Sequence, residues 1–471
     1  MHWKLLALGA ILAARPVSAE TLADAVASAY ATNPQVAAAR AQLRQIDEQV
    51  PLAKVGERPS FNISGSATQY LNESLSNNGR LWTGSVGFSQ PIYQGGRVRA
   101  GVSAAESRIA ASRARLIAVE QQVIVDTIAA YADVLRTEAV VDLNRNQVRV
   151  LERELNASRN RFEVGDVTRT DVAQSEARLA SARANLISAQ AQAVVAEQAY
   201  RRMVGRMPVD LAPLPPLPDL PPNLSDALRV AQARNPSLMA ARFDEQAAAE
   251  DVLVAKRQRL PTIGLGVNAT YSKRDAGLIS LDGFNPNIGV SASMPLTSGG
   301  QIAARVRQAQ ARQSELLETI SLADRQMTES ASNSMVLLES AEAVIQSART
   351  QVSANELASE GVRQENLVGS RDILDVLNAE QELLNSRVQL VQAERDRYVA
   401  AFRLLQSIGS ADIALEHAPV ERYDSQANSR RVAGKWSEFG YDRNPRFDRQ
   451  RNHATQTGAT PQGDAAETVP N

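Results

Sequence analysis

The stretch Ser89-Gln-Pro-Ile-Tyr-Gln-Gly-Gly-Arg-Val-Arg-Ala100 reads as a strand that runs into Gly95-Gly96 and leaves as a helix. In the second half of the chain Ser293-Met-Pro-Leu-Thr-Ser-Gly-Gly-Gln-Ile-Ala-Ala304 does the same. Pro91 and Pro295 suit a strand end, where a missing N–H is tolerated. Gly95, Gly96, Gly299 and Gly300 let the backbone turn from strand to helix without a side-chain clash. Glycines before a helix can also cradle an anion, with Arg97 and Arg99 following the first pair, but the junction reading accounts for both copies.

The repetition extends in both directions. Asn33-Pro34 recurs as Asn235-Pro236, each opening an Ala-rich helix that runs to a proline, Pro59 or Pro261. Val164-Gly165 with Asp171-Val172 beyond recurs as Val368-Gly369 with Asp375-Val376. Such spacing marks a tandem duplication of nearly the whole chain. The copies are expected at 20–207 and 223–409, joined by 208–222. That joint holds Pro208, Pro213, Pro215, Pro216, Pro218, Pro221 and Pro222, and is expected to be an extended, stiff spacer. From 410 to 471 the sequence turns polar, Arg-rich and aperiodic, and is expected to be largely disordered despite Trp436, Phe439 and Tyr441.

Each copy reads as short helix, two strands, very long helix, tight turn, helix. The strands are expected at about 59–72, 81–93, 261–274 and 286–297, and the helices at about 97–163, 168–204, 300–366 and 371–408. Between Trp82 and Ile92 the even positions are Trp82, Gly84, Val86, Phe88, Gln90 and Ile92, and the odd ones are Thr83, Ser85, Gly87, Ser89 and Pro91. The runs from Thr262 to Tyr271 and from Asn287 to Leu296 alternate in the same way. One apolar face, one small polar face and aromatics near the ends form the pattern of an outer-membrane barrel strand. Each strand alone also fits an antiparallel sheet lying on a soluble core. Four strands cannot close a barrel, and lipid tolerates no open edge, so a membrane-spanning reading requires several copies sharing one barrel.

In the long helix Val102, Ala105, Ile109, Ser112, Leu116, Val119 and Val123 follow a 3–4 alternation suited to coiled-coil packing. Leu338, Ala341, Ile345, Ala348 and Val352 repeat that spacing. Aromatics make up 4% of the chain against 44% hydrophobic residues, which suits narrow helical seams better than a large globular core. A formal net charge of −1 gives no electrostatic case for nucleic acid. The absence of cysteine excludes disulfides, thiolate metal sites, thiol catalysis and a thioether lipid anchor. Met1–Ala19 reads as a secretory signal, with Lys4 before a short apolar core and small residues Val17-Ser18-Ala19 before a cut at Glu20. No later apolar run is long enough for a spanning helix.

An enzyme finds little support. The histidines are His2, His417 and His453, none within a nucleophile, base or metal pattern. Gly264-Leu-Gly-Val-Asn-Ala269 imitates a dinucleotide fingerprint but lies inside an alternating strand with no helix after it. No catalysis, cofactor or metal is expected. The turns are more informative: Gly165 and Gly369 each sit between two helices, as a tight helical hairpin needs. Asp171 and Asp375 follow where a carboxylate can cap the next helix or line the tip, and in a cyclic oligomer such a residue becomes a charged ring.

These residues resemble the TolC family of outer-membrane efflux and secretion ducts. The resemblance runs to about Gly409 and rests on Gln90-Pro-Ile-Tyr-Gln-Gly-Gly96, Arg161-Phe-Glu-Val-Gly165 with Thr170-Asp-Val172, and Val368-Gly-Ser-Arg371 with Asp375-Val-Leu377. It implies an α+β membrane protein: a homotrimer sharing a 12-stranded barrel that continues into a long α-helical coiled-coil barrel with an equatorial domain. It also implies a passive duct in the outer membrane with a periplasmic extension. Its partners would be outer-membrane lipid, a periplasmic adaptor (membrane fusion protein) and an inner-membrane ABC, RND or MFS transporter, with iris-like opening of the helical tips. By motif position Asp375 is the aperture aspartate. Thr170, Asp171, Arg371 and Asn366 take the places of the closed-state lock, and Val164, Gly165, Val368 and Gly369 form the adaptor-docking tips. Two departures stand out. Asn378 occupies the place of a second aperture aspartate, with Asp372 available to restore charge, and Asn366 replaces a lock tyrosine. A weaker lock and a less negative aperture are expected. The competing class is a soluble periplasmic coiled-coil adaptor or scaffold.

Overall fold

The computed structural model describes residues 19–71, 79–276, 279–416, 418–438 and 440. Met1–Ser18 of the expected signal, together with His417, Phe439 and everything from Tyr441 onward, including His453, lie outside the described residues. The first repeat contains α1 (Leu22–Thr32), α2 (Pro34–Asp47), α3 (Gln49–Lys54), a 3-10 turn (Val55–Glu57), β1 (Ser60–Gln69), β2 (Arg80–Gln94), α4 (Arg97–Glu163) and α5 (Arg169–Val204). The second contains α6 (Leu224–Arg234), α7 (Pro236–Arg257), β3 (Thr262–Ala276), β4 (Ile279–Ser293), α8 (Gln301–Leu367) and α9 (Ile373–Ser407). A 3-10 turn (Ala411–Leu415) and α10 (Ala427–Val432) follow.

The duplication reaches down to single hydrogen bonds. Asn33 and Asn235 cap α2 and α7, each with Pro at the first helical position, where its missing N–H costs nothing. The same amides also tie down the ends of α5 and α9: Asn33 Nδ2 donates to the Met203 carbonyl at 3.1 Å and Asn235 Nδ2 to that of Ser407 at 2.9 Å. The long helices α4 and α8 are both 67 residues. At ~1.5 Å per residue each is roughly 100 Å long.

The four strands form one antiparallel sheet in the order β1-β2-β3-β4. Its register aligns the apolar positions of all four into rows, such as Phe61–Phe88–Val267–Ile288 and Ile63–Val86–Ala269–Pro286. The opposite face carries rows of small polar residues, Ser64–Ser85–Thr270–Asn285 and Asn62–Gly87–Asn268–Asn287. The strand bounds differ from expectation: β4 begins at Ile279 and ends at Ser293 rather than spanning 286–297, and β1 stops at Gln69. Among the described residues β1 and β4 are its free edges.

The main core lies where α1, α4, α5, α6, α7, α8 and α9 meet, around Tyr131, Tyr200, Ile128, Leu238 and Leu404. This is the equatorial region. The Pro-rich joint contributes to it: Leu211, Leu214, Leu217 and Leu220 all pack against this core. Every third residue of an extended three-residue-per-turn chain falls on one side, so the stretch is a strip laid on the core rather than a free spacer. Its start is fastened by Tyr131, whose hydroxyl lies 2.9 Å from the Glu20 carbonyl and 2.6 Å from that of Ala212.

The expectation of disorder from 410 onward fails for 411–435. That segment runs back along α1 and α2 toward the base of the sheet. The Tyr423 N–H donates to the Tyr30 hydroxyl at 3.1 Å, and Arg40 lies between those two rings, 4.5 and 4.7 Å from their centroids. Asn428 donates to Asp47 at 2.7 Å, Val432 is 1% exposed, and Arg58 reaches the Lys435 carbonyl at 2.9 Å. Polar composition concealed a few well-placed anchors.

Candidate functional site at the barrel wall and helical tips

Among the described residues no helix is long and apolar enough to cross a membrane. The sheet, by contrast, presents an apolar face that no helix covers: Phe61 is 72% exposed, Ile63 84% and Ile288 73%. Trp82, Tyr271 and Phe284 lie near one end of this face, and Ile92 and Tyr93 near the other. From Trp82 to Ile92, ten steps of ~3.3 Å tilted at ~40° give roughly 25 Å, the height of an outer-membrane apolar band. The polar rows on the other face, built from Ser, Thr, Asn and Gly, suit a wet interior.

The two strand-to-helix junctions share a backbone and differ in surroundings. Gly95 and Gly96 have φ of +61° and +70°, Gly299 and Gly300 +60° and +83°, a region that glycine enters without strain. Pro91 lies inside β2, at a register shift between Pro91 and Tyr93, whereas Pro295 lies beyond the end of β4. A Cβ on Gly95 would meet Leu260, and Arg257 Nη1 donates to the Gly96 carbonyl at 2.6 Å. Around Gly299 and Gly300 a Cβ would meet nothing within 4 Å in the single chain.

About 100 Å away, the two hairpin tips also share a design. Val164 and Val368 cap the long helices, and Gly165 (φ +80°) and Gly369 (φ +78°) reverse the chain. Their N–H groups donate to the carbonyls of Phe162 and Asn366, and the next residues, Asp166 and Ser370, to those of Arg161 and Glu365. Both valines are 80% exposed, so each tip presents an apolar knob. The following helices start differently. Asp171 completes a capping box with Thr168, whereas Asp372 heads α9 without a side-chain cap.

Around the tips the candidate lock residues separate into two groups. Asn366 and Arg371 meet: Asn366 Nδ2 donates to the Arg371 carbonyl at 2.8 Å, and the Arg371 guanidinium reaches Glu365 at 2.8 Å and Asp375 at 3.4 Å. Asp171 is engaged in its own helix cap and Thr170 is exposed, so within one protomer neither joins Arg371. Asn366 instead receives Arg161 from the other hairpin at 3.2 Å, and Asn378 receives Arg178 at 2.8 Å. Asp372, Asp375 and Asn378 recur at three-residue spacing on the partly or fully exposed side of α9. Ile373, Val376 and Leu377 on its other side are buried against Leu151, Leu155 and Leu179. Arg161, quoted only as part of a motif, and Glu365 and Arg178 carry no expected role in the sequence, because their partners lie across a turn or on another hairpin.

The sequence profile of the outer membrane efflux protein family matches residues 25–206 and 227–410, one match per repeat. The outer membrane efflux protein BepC of Brucella suis is 33% identical over 434 residues, covering 91% of this chain and 94% of that protein. The outer membrane protein TolC of Escherichia coli is 25% identical over 83% of each chain, and the alkaline protease secretion protein AprF of Pseudomonas aeruginosa 29% identical over 71% of this chain and 70% of that one. The crystal structure of the outer membrane protein VceC from Vibrio cholerae superposes with a TM-score of 0.70 at 22% identity, covering 82% of this chain and 96% of that one. The open-state MtrE outer membrane channel of Neisseria gonorrhoeae gives 0.69 at 20% identity, covering 83% and 89%. With two profile matches that together span both repeats, and a relative aligned over almost its whole length, the chain belongs to the outer membrane efflux protein family.

Proposed function

We propose that three copies of this chain close a 12-stranded barrel in the outer membrane, and that the six long helices carry its lumen into the periplasm as an exit duct for efflux or type I secretion. The observation that carries this reading is the two-faced sheet joined through Gly-Gly turns to helices of 67 residues. Free edges on β1 and β4 and the open surroundings of Gly299-Gly300 give a neighbouring copy its place. A soluble scaffold would leave the apolar rows in water, and the family match also argues against it. The duct carries out no chemistry on its cargo, and an inner-membrane transporter with a periplasmic adaptor supplies that cargo at the tips around Gly165 and Gly369.

In this reading the helical tips form the gate. Asp375 faces the aperture as a ring of carboxylates, each moderated by Arg371, and Asn378 adds none. Arg161–Asn366 and Arg178–Asn378 join the two hairpins of one protomer. Thr170, together with the carboxylate oxygen of Asp171 that its helix cap does not use, is placed to meet Arg371 of the adjacent copy. Single-channel recording tests the aperture: Asp375→Asn is expected to lower cation selectivity and relieve divalent block. An unchanged selectivity would remove Asp375 from the constriction.

A further inference from the structure

The two ends of the apolar face differ in charge. At the end marked by Trp82 and Tyr271 both signs occur: Arg80, Lys273 and Arg274 share that rim with Asp275 and Asp282, and Lys273 lies 3.9 Å from Asp275. At the end marked by Ile92 and Tyr93 nearly every charge is positive. Just outside the sheet stand Arg58 before β1, Arg97 and Arg99 at the start of α4, Lys256 and Arg259 at the end of α7, and Arg305 near the start of α8. Hydrogen bonds tie these segments into one band: Arg257 donates to the Gly96 carbonyl at 2.6 Å, Arg305 to Gln258 at 3.0 Å and Arg58 to the Lys435 carbonyl at 2.9 Å. The stretches 91–105, 252–262 and 294–314 hold no carboxylate side chain. Among the described residues none of the six cations forms an ion pair, and the contacts of Arg58, Arg97 and Arg305 are all to neutral oxygens. Arg97 and Arg99 also stand in the first turn of α4, where the helix dipole favours acidic residues, so helix stability does not account for them.

The band faces outward. Gln90 shares the apolar face with Val86 and Phe88, and its Nε2 donates to the Glu57 carbonyl at 2.9 Å, which sets the turn before β1 beneath that face. On α4 the exposed Arg99 lies nine residues, about two and a half turns, from Arg108, so the two point to opposite sides. Arg108 and Arg115 pair with Asp251 and Asp244 of α7, and Arg312 of α8 joins them on the concave side of this three-helix wall. Charges are therefore matched on the concave side and unmatched on the convex one. The exposed Leu52, Val55 and Trp436 accompany the outer cations.

We propose that this band is a docking collar for the anionic phospholipid headgroups of the bilayer's periplasmic leaflet. Cations just outside the hydrocarbon attract anionic lipid, guanidinium forks match phosphate oxygens, and a tryptophan ring suits the headgroup level. The collar is continuous with the lipid-facing rows, so a headgroup held there keeps its acyl chains against Ile92 and Tyr93. Its charge fixes the depth at which the duct rides in the membrane.

The proposal rests on the reading that the sheet spans a bilayer, and its test separates the two. The full-length protein is reconstituted in phosphatidylcholine vesicles with a trace of spin-labelled phosphatidylglycerol or spin-labelled phosphatidylcholine, and electron paramagnetic resonance reads the motionally restricted lipid. The phosphatidylglycerol label is expected to be enriched several-fold over the phosphatidylcholine label, and ~1 M salt to reduce that preference by screening. Arg99→Gln combined with Lys256→Gln and Arg259→Gln, three exposed side chains, is expected to bring the ratio close to one while still restricting the phosphatidylcholine label, which reports insertion. Arg80→Gln with Lys273→Gln, at the other rim, is expected to leave the ratio unchanged. Equal restriction of both labels by the parent protein, or a preference that survives the triple substitution, would overturn the collar and leave the barrel in place. Absence of restricted lipid of either kind would overturn both.

Discussion

Val86 and Ser85 are adjacent in β2, at one height in the sheet and on opposite faces. Val86 lies in the row Ile63–Val86–Ala269–Pro286, four residues from Trp82 and near the middle of the apolar band. Ser85 faces the other way, with its Oγ 2.7 Å from that of Ser64. If the apolar face meets lipid, Val86→Lys places an ammonium near the bilayer midplane, at about 2–4 kcal/mol per chain. Three chains in one barrel make that roughly 6–12 kcal/mol per assembly. Ser85→Lys projects the same group into water and loses one hydroxyl hydrogen bond, about 1 kcal/mol per chain. Urea titration of the protein folded into lipid vesicles, followed by Trp fluorescence, measures both. The account predicts that Val86→Lys folds poorly or unfolds at much lower urea, while Ser85→Lys stays near the parent. Equal losses in the two variants, or a larger loss for Ser85→Lys, would refute the assignment of faces.

Three further outcomes follow from the same geometry. Gly369→Ala forces a residue with Cβ into φ of +78°, so the tip should lose roughly 1–2 kcal/mol and show faster local hydrogen exchange around 366–372. Thr168→Ala removes the capping box at the start of α5, and about 1 kcal/mol of protection should disappear from the first turn of that helix in the same experiment. Val432→Asp buries a carboxylate without a partner and should detach the C-terminal strap, seen as rapid proteolysis near 420–435 while the long helices resist cleavage.

Much of this fold was legible because its rules are local. Period-two alternation at 82–92 needs only the pleat, and the Asn-Pro and Gly-Gly pairs mark helix starts and chain reversals in both copies. What escaped lies across turns and between segments. Arg363 and Glu380, an ion pair across the second turn, are equally distant from Arg371-Asp372, as the paired Arg159 and Glu176 are from Val167-Thr168, so reflecting the sequence about each turn would have found both pairs. The strap could not be found that way: Tyr423, Asn428 and Val432 gain meaning only from Tyr30, Asp47 and the groove they fill. The leucines of the Pro-rich joint could have been read in advance, since three-residue spacing on an extended chain defines a side.

The central claim is that one continuous lumen runs from the barrel to the tips of the helices, and a single introduced thiol tests it. Asp375→Cys supplies the chain's sole thiol, roughly 100 Å along the helices from the bilayer. In a planar-bilayer recording, a positively charged thiol reagent added on the side of the helical tips is predicted to change conductance and cation selectivity irreversibly, with the cysteine-free parent unaffected. A current unaltered by complete labelling at residue 375 would contradict the account, because ions would then be bypassing the helical barrel.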